Sequence, residues 1–300
     1  MPVEHSLPFE RSLFIATPNA IHLRSQTGAN VIFECESAEG ITNARVSTDN
    51  SSLIAIADSQ VVLLHDTARK REKRLRLKGG GVSDKRDDNF TCVLILAQGQ
   101  TRLLLFSPDS RTLFFTTTLS TSIQAYSIPT GDLLPPLQSH PSPPTVIAIS
   151  SDGNILLSAS PEPPTTFLHD RRWGSIASVK LQPTDTPSAV TCAAFQSFRD
   201  SEQPSYTQLA LGFRDGTLAL YRVTLPHLSP YNSQPSANQT NSFELVPARV
   251  GAMEKLHKAA MGGVTAVAFV PGYMSRVVSI GHDGRCRLID FEGGGNKLRT

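Results

Sequence analysis

Residues 279–290 read SIGHDGRCRLID and residues 211–222 read LGFRDGTLALYR, so the two stretches follow one plan. Each begins with small and apolar residues, turns at an Asp-Gly pair and continues as a second apolar strand. An Asp-Gly pair between apolar runs is a strong short-range signal for a β-hairpin, because glycine accepts the positive φ of a tight turn. The sequence therefore predicts the same antiparallel hairpin twice, at Asp215-Gly216 and at Asp283-Gly284.

The same plan recurs in longer segments along the chain. Each segment has an apolar strand, a polar hairpin, a second apolar strand, a further turn and a third strand. The polar hairpins at 107–111 (SPDSR) and 150–154 (SSDGN) place Asp, Ser and Gly where tight turns use them. Short strands separated by turn residues, with no long helical pattern, predict an all-β fold. The segments are 44–66, 104–127, 146–170, 193–222 and 267–290.

The repeats resemble those of the WD40 β-propeller family, in which the third strand ends in Trp-Asp. The corresponding pairs here are His65-Asp66, Tyr126-Ser127, His169-Asp170, Tyr221-Arg222 and Ile289-Asp290. Asp109 and Asp152 lie 43 residues apart, within the roughly 40–45 residues of a four-stranded blade. The resemblance implies a single WD40-like β-propeller over residues 1–300, with about six to seven blades. Because no Trp-Asp pair occurs, it does not predict the buried Asp–His–Ser/Thr–Trp network of strong repeats.

The repeat boundaries predict how the blades follow one another. Strand ends at positions 24, 66, 127, 170, 222 and 290 are predicted to close outer strands. Leu13 to Arg24 matches only the final two strands of a blade, and the sequence stops ten residues after Asp290. These features predict a propeller that is incomplete at its C-terminus, either a six-bladed ring that closes poorly or a ring that lacks its seventh blade. Residues 225–241 are Pro, Ser, Asn and Gln rich, and are predicted to form a disordered surface loop between blades.

Residues 82–98 (VSDKRDDNFTCVLILAQ) interrupt the third repeat. Asp49 and Asp109 lie 60 residues apart, and removal of these 17 residues restores the spacing of 43 found in the next pair. The segment is therefore predicted to be an insertion that bulges out with few core contacts. An ordinary loop accounts for the spacing. A retained intron also accounts for it, since Val-Ser is compatible with a GT donor and Ala-Gln with a terminal CAG.

A basic run occupies residues 69–78 and holds seven cations against one anion. Clustered Lys and Arg release counterions from nucleic-acid phosphates and also act as nuclear-targeting signals. The alternative is a solvated turn that leads into an inner strand, with Leu75 and Leu77 pointing inward. No aromatic residues interleave with the run, so base stacking is not predicted. The candidate partner, nucleic-acid or targeting residues are Arg69, Lys70, Arg71, Lys73, Arg74, Arg76 and Lys78.

Composition and spacing argue against several other classes of protein. The 28 basic and 26 acidic residues leave a net charge of +2, which gives no overall attraction to nucleic acids or membranes. No apolar run reaches the roughly 18 residues of a membrane helix, and the N-terminus lacks the pattern of a signal peptide. An intracellular protein of the cytoplasm or nucleus is therefore predicted. Metal-ligand spacings, a nucleophile elbow and a phosphate loop are all missing, so no metal, cofactor, catalytic residue or small-molecule substrate is predicted.

The function favoured by these observations is a non-catalytic scaffold that binds other proteins, because propeller loops can vary without disturbing the core. The basic run favours an alternative, a nuclear or nucleolar ribonucleoprotein subunit, for example in ribosome biogenesis, with RNA as a partner. A propeller hydrolase or lyase is a third candidate and would need converging acids, histidines or metal ligands. The basic run and residues 225–241 are predicted to join an outer strand to the next inner strand, on the partner-binding face.

Apolar residues in the recurring strands are predicted to form the core between blades. They are Val46, Leu53, Ile54, Leu105, Phe114, Val146, Leu156, Phe195, Leu211, Val267 and Val278.

Overall fold

A computed structural model of the chain describes residues 13–25, 28–35, 38–48, 53–59, 61–67, 71–74, 93–95, 99–172, 176–181, 188–197, 206–225, 245–292 and 296–299. Within these ranges the chain is built from antiparallel strands and one turn of 3-10 helix, Ala259–Met261. Contacts between residues divide it into two compact units. One unit is Met1–Phe106 with Thr117–Leu119, and the other is Ser107–Thr116 with Ser120–Thr300.

The strands form six antiparallel sheets, in which strands that follow each other in the chain are generally neighbours in the sheet. The first sheet is β1 (Leu13–Ala16), β2 (Ala20–Ser25) and β3 (Gly28–Glu34). The second is β4 (Asn43–Val46), β5 (Leu53–Ala57), β6 (Val61–Asp66) and β7 (Arg71–Arg74), with β8 (Val93–Ile95) also on β6. The third is β9 (Thr101–Phe106), β10 (Thr112–Thr117), β11 (Gln124–Ser127) and β12 (Leu133–Leu134).

The remaining three sheets lie in the second unit and have four strands each. The fourth sheet is β13 (Val146–Ile149), β14 (Ile155–Pro161), β15 (Pro164–Asp170) and β16 (Ala177–Leu181). The fifth is β17 (Val190–Phe195), β18 (Tyr206–Phe213), β19 (Leu218–Thr224) and β20 (Val246–Met253). The sixth is β21 (Val264–Phe269), β22 (Arg276–Gly281), β23 (Cys286–Asp290) and β24 (Asn296–Arg299).

The predicted hairpins are confirmed, together with the side chains that shape them. Asp109 and Asp152 each accept a hydrogen bond from a serine hydroxyl two residues earlier, and each also accepts a backbone N–H of the same turn. Asp215 accepts the N–H of Thr217 at 2.9 Å in the same way. These bonds satisfy backbone donors that the tight reversal would otherwise leave unpaired, so the Asp-containing turns fix the hairpin positions.

The predicted identity of the repeat ends as outer strands is wrong. Positions 66, 127, 170, 222 and 290 lie in the third strands β6, β11, β15, β19 and β23, and a fourth strand follows each of them. The fourth strands carry weak sequence signals, because β12 has only two residues and β20 follows the polar stretch 225–241. The first repeat likewise contains three strands rather than the predicted two.

The predicted position of residues 225–241 between two blades is also wrong. β19 and β20 pair directly, from Leu218 opposite Met253 to Thr224 opposite Val246. The chain between them therefore joins the third and fourth strands of one sheet. Residues 226–244 themselves lie outside the described residues.

The outer edge of the second sheet is made by two separate segments. β7 pairs with β6 from Asp66 to Leu63, where Arg74 lies opposite Leu63. β8 pairs with the next residues of β6 toward its N-terminal end, with Leu94 opposite Val62 and Ile95 opposite Val61. The predicted insertion 82–98 thus contributes a short paired strand instead of bulging out throughout, and its other residues lie outside the described ones.

Apolar side chains of neighbouring sheets pack into continuous cores. In the second unit, Leu157 and Leu168 of the fourth sheet pack with Leu211 and Phe213 of the fifth. A separate cluster joins the fifth and sixth sheets, and a smaller one in the first unit contains Ile21 and Ile54. Of the eleven predicted core residues, the buried ones are Ile54, Phe114, Val146, Leu156 and Leu211. The other six are half-buried, because they lie on the less enclosed face of their strand or near its end.

Candidate functional site

A cavity of about 730 Å³ opens in the second unit, beside the fifth and sixth sheets. Its walls come from three pieces of chain: the β18–β19 hairpin, the connection from β20 to β21, and the β22–β23 hairpin with the start of β23. We call this cavity the hairpin groove. The charged side chains that line it are Asp215, Glu254, Lys255, Lys258, Asp283, Arg285 and Arg287.

Two glycines make the close packing of the groove wall possible. Gly216 has a φ of +88°, and a Cβ there would lie 1.8 Å from the backbone oxygen of His257. Gly281 approaches the same residue from the other hairpin, where a Cβ would lie 2.3 Å from His257 Nδ1. The backbone N–H of His257 also donates to Gly216 O at 3.1 Å. The histidine is therefore packed closely between the two hairpins.

His257 links an acid and a hydroxyl beneath the groove. Its Nδ1 lies 2.9 Å from Asp283 Oδ1, and its Nε2 lies 3.0 Å from Ser279 Oγ. The hydrogen bond from His257 lowers the pKa of Asp283 to about 2, assisted by the backbone N–H of Arg285. Asp283 is therefore ionised at neutral pH, although its side chain is only 2% exposed. Its second oxygen, Oδ2, has no hydrogen-bond partner among the described residues.

Four cations and three acids line the groove, so its cations exceed its acids by one. Lys255, Lys258 and Arg285 are exposed on its rim, and Arg287 is buried at 8% exposure. None of these four cations forms an ion pair within the described part of the chain. The Nε of Arg287 also lacks a hydrogen-bond partner there. The rim cations and the guanidinium of Arg287 are therefore available to attract an anionic group.

A second polar network lies in the fourth sheet. His140 Nε2 and His169 Nε2 both lie 2.7 Å from Ser158 Oγ, and His169 Nδ1 lies 2.8 Å from Ser178 Oγ. Burial lowers the pKa of His140 to about 4 and that of His169 to about 3, the latter also through the nearby His140. Both imidazoles are therefore neutral hydrogen-bonding groups near pH 7.

A second cavity, of about 520 Å³, is largely apolar. It lies at the turns between the first and second strands of the fifth and sixth sheets, and it is lined by Phe195, Phe269, Tyr273 and Met274 among others. Tyr273 and Met274 are 47% and 44% exposed. This cavity offers surface area but no charged group comparable to Arg287.

The structure describes only part of the predicted basic site. Arg71, Lys73 and Arg74 belong to β7, which pairs with β6. This is a fourth strand, so the predicted alternative of a turn leading into an inner strand is wrong for these residues. Arg69, Lys70, Arg76 and Lys78 lie outside the described residues. The assignment of these seven cations to a partner, nucleic acid or targeting role remains a prediction.

The predicted connection of the basic run and of residues 225–241, from an outer strand to the next inner strand, is also wrong. In an antiparallel meander, successive turns alternate between the two ends of the strands. The connection from β6 to β7, where the basic run begins, and the connection from β19 to β20 both join a third strand to a fourth. The exit from a fourth strand lies at the opposite end of the strands, and so does the second-to-third hairpin. The hairpin groove is built from connections of these latter two kinds.

No group of three or more His, Cys, Asp or Glu side chains that could hold a metal ion occurs among the described residues. None of the helices found there is long and apolar enough to cross a membrane.

Comparisons with known proteins give a structural relationship only. No protein-family model matches the chain, and no curated protein sequence matches it. Among solved structures, the crystal structure of Chaetomium thermophilum Sqt1 bound to the N-terminus of the ribosomal protein L10 matches 94% of this chain and 69% of that chain. The two are 17% identical, with a TM-score of 0.61. Sqt1 is a WD40 β-propeller protein. The fold of this chain is that of a WD40-like β-propeller.

The candidate site contains residues that the sequence did not reveal. The absence of Trp-Asp pairs left the buried Asp–His–Ser/Thr–Trp network unpredicted. Three of its four members are nevertheless present, as Asp283, His257 and Ser279. A recurring order of residues could have found it, because a histidine precedes a strand serine by about 20 residues in two repeats: His140 precedes Ser158 by 18 residues, and His257 precedes Ser279 by 22. Arg287 gave no signal, since its importance depends on the groove around it.

Proposed function

We propose that this propeller is a non-catalytic scaffold that binds a segment of another protein in the hairpin groove. The observation that carries the proposal is a charged groove at the tips of two closely packed hairpins, with four cations that have no acidic partner in the described part of the chain. Unpaired charges provide orientation and specificity in binding.

The structural relationship supports this class of function. Sqt1 has the same fold and is bound to the N-terminus of the ribosomal protein L10 in its crystal structure. A propeller of this kind thus accommodates a terminal segment of a protein. For the present chain we propose the same general kind of partner, within an intracellular multiprotein assembly.

A ribonucleoprotein subunit, for example in ribosome biogenesis, is a second candidate function. The basic run 69–78 favours it, because seven cations in ten residues would attract nucleic-acid phosphates. Retention of the protein on immobilised RNA, measured as a function of salt, distinguishes this candidate from a scaffold that binds only protein. Retention that persists at low salt and falls steeply with rising salt supports RNA binding, whereas no retention at low salt contradicts it.

The Ser279–His257–Asp283 arrangement invites comparison with a catalytic triad, because the order of its hydrogen bonds is the same. A nucleophilic serine must reach the substrate. Ser279 is 0% exposed and lies on β22 beneath the groove, so its hydroxyl cannot meet a substrate bound there. The arrangement therefore supports a structural role, and the proposed function does not include hydrolysis.

The proposal is tested by affinity purification of the tagged full chain from its native cell. The triple variant K255S/K258S/R285S removes the rim cations while it leaves the buried core unchanged. Partners of the groove should be lost from this variant and retained by a variant in which the exposed Lys180 of β16 is replaced by serine. An identical set of partners for the wild type and the triple variant would contradict the groove as the binding site.

A further inference from the structure

Arg287 occupies a position that is apolar in an equivalent sheet. In the sixth sheet Arg287 lies opposite Ser279, whose hydroxyl contacts His257. In the fourth sheet the residue opposite the corresponding serine, Ser158, is Phe167. Phe167 packs edge-on against the histidine bonded to that serine, His140, with ring centroids 4.8 Å apart. The sixth sheet therefore places a cation where the fourth sheet has an aromatic ring.

A buried arginine at such a position costs stability unless a partner satisfies it. Arg287 is 8% exposed, and its Nε has no hydrogen-bond partner among the described residues. Burial of an unpaired charged donor is unfavourable, and a planar guanidinium is best satisfied by a carboxylate or a phosphate. The side chain lines the hairpin groove, so an anion that enters the groove can reach it.

Asp283 restricts what this anion can be. Its Oδ2 is buried in the same groove without a hydrogen-bond partner in the described part of the chain, and its charge repels a second anion nearby. An occupant must therefore supply an acceptor to Arg287 and a donor to Asp283. A peptide does both, because an acidic side chain can accept from the guanidinium while a backbone N–H donates to the carboxylate.

We propose that the hairpin groove binds an acidic segment of a partner protein, with one Asp or Glu side chain bound by Arg287. This inference rests on the proposed scaffold function and names the chemistry of its partner. Lys255, Lys258 and Arg285 surround the entrance and attract further acidic residues of the segment. Lys255 has a φ of +52°, which is an uncommon backbone conformation for a non-glycine residue and shapes the turn at this part of the groove wall.

The test is selection of a random decapeptide library, displayed on phage, against the full 300-residue chain. We expect the enriched peptides to share an Asp or Glu at a fixed position. A synthetic peptide from this set should bind the Arg287→Gln variant at least about tenfold more weakly than the wild type, because a buried charge pair has been broken. Arg287→Phe restores the residue type found at Phe167 and should fold normally while it also loses binding. Lys180→Gln removes an exposed charge elsewhere and should bind as the wild type does.

Several outcomes would overturn the inference. Enriched peptides without a shared acidic residue, or acidic peptides that bind both Arg287 variants as tightly as the wild type, would show that Arg287 does not bind a carboxylate. The scaffold function would survive either result if the purified partners still depend on the groove. Failure to enrich any peptide also counts against the inference, and the purification experiment then decides the scaffold function separately.

Discussion

Gly216 and Gly284 occupy the same place in two hairpins, yet their surroundings differ. Both have positive φ, at +88° and +72°, so alanine at either position is strained by about 1–2 kcal/mol. A Cβ at Gly216 would in addition collide with the backbone oxygen of His257, whereas nothing lies within 4 Å of a Cβ at Gly284. We expect Gly216→Ala to lower the free energy of unfolding by about 3 kcal/mol or more, and Gly284→Ala by about 1–2 kcal/mol. Urea unfolding of both variants measures the difference, and equal losses would contradict the close contact with His257.

The buried histidines of the fourth sheet should make stability depend on pH. In the unfolded chain a histidine has a pKa of about 6.5, whereas in the native state the pKa values are about 4 for His140 and about 3 for His169. Between pH 6.5 and pH 4 the unfolded chain therefore binds protons that the native chain does not. Stability contributed by the neutral imidazoles is present above pH 6.5 and is lost as the pH falls. Thermal unfolding between pH 7 and pH 4.5 should show a falling Tm.

The control for this prediction is His169→Gln, because glutamine can hydrogen-bond to Ser158 but does not titrate. The decrease of Tm from pH 7 to pH 4.5 should be smaller in the variant than in the wild type. An unchanged slope would mean that protonation of His169 does not contribute to acid unfolding.

At the scale of the element, Phe195 and Phe213 contribute to the same core from β17 and β18 but to different extents. Phe213 is 1% exposed, whereas Phe195 is half-buried. We expect Phe213→Ala to reduce the free energy of unfolding by about 3–5 kcal/mol, and Phe195→Ala by roughly half as much, because less apolar surface is removed from contact. Chemical denaturation of both variants measures this, and a larger loss at Phe195 would contradict the assigned packing.

The two segments at the outer edge of the second sheet allow a test of the predicted insertion. Deletion of residues 82–98 removes β8 and leaves Val62 and Val61 without the partners Leu94 and Ile95. Leu75 and Arg76, which follow Arg74 in the sequence, can then pair with these two positions and extend β7. We therefore expect the shortened chain to fold, with a Tm no more than a few degrees below that of the full chain. Failure to fold would show that β8 is essential. Transcript sequencing separately tests the intron hypothesis, which fails if mature messages always keep these codons.

The elements that the sequence predicted are those specified by local chemistry. Asp152 and Gly153, or Asp215 and Gly216, determine a turn by themselves, so the hairpins and the all-β class could be predicted. The fourth strands could not, because Leu133–Leu134 is only a pair of exposed residues and Arg71–Arg74 is entirely charged. Such strands form because a neighbouring strand offers unpaired backbone groups, and this information is not local.

For the whole molecule, the basic run is the strongest departure from an otherwise balanced charge distribution. We expect simultaneous replacement of Arg69, Lys70, Arg71, Lys73 and Arg74 by serine to change localisation or partner binding and to leave the fold intact. Fluorescence microscopy of the tagged chain and comparison of its purified partners measure the effect, with circular dichroism as the control for folding. If localisation and partners are both unchanged, the run is only a solvated surface.

The candidate site could be predicted less well than the fold. The hairpin groove brings together the turn at Asp215, the connection at His257 and the strand residue Arg287, which lie far apart in the sequence. In the sequence, Arg287 resembles an ordinary exposed strand residue. Only the structure shows that it lies opposite Ser279, whose hydroxyl contacts His257. The sequence indicated instead the basic run, because consecutive charges are visible without any knowledge of packing.

The close packing of His257 between Gly216 and Gly281 limits which repeats of this protein could be exchanged with those of another propeller during evolution. Hydrogen bonds to backbone carbonyls hold the fifth sheet against the sixth sheet and the connection between them, since His257 N–H donates to Gly216 O and Thr191 Oγ1 donates to Val264 O. A recombination breakpoint between these sheets would separate Gly216 from the connection at His257, and any residue other than glycine at position 216 would collide with the backbone of that connection. The smallest segment that could be transplanted into another propeller, or inherited as a block, is therefore the pair of sheets from β17 to β24.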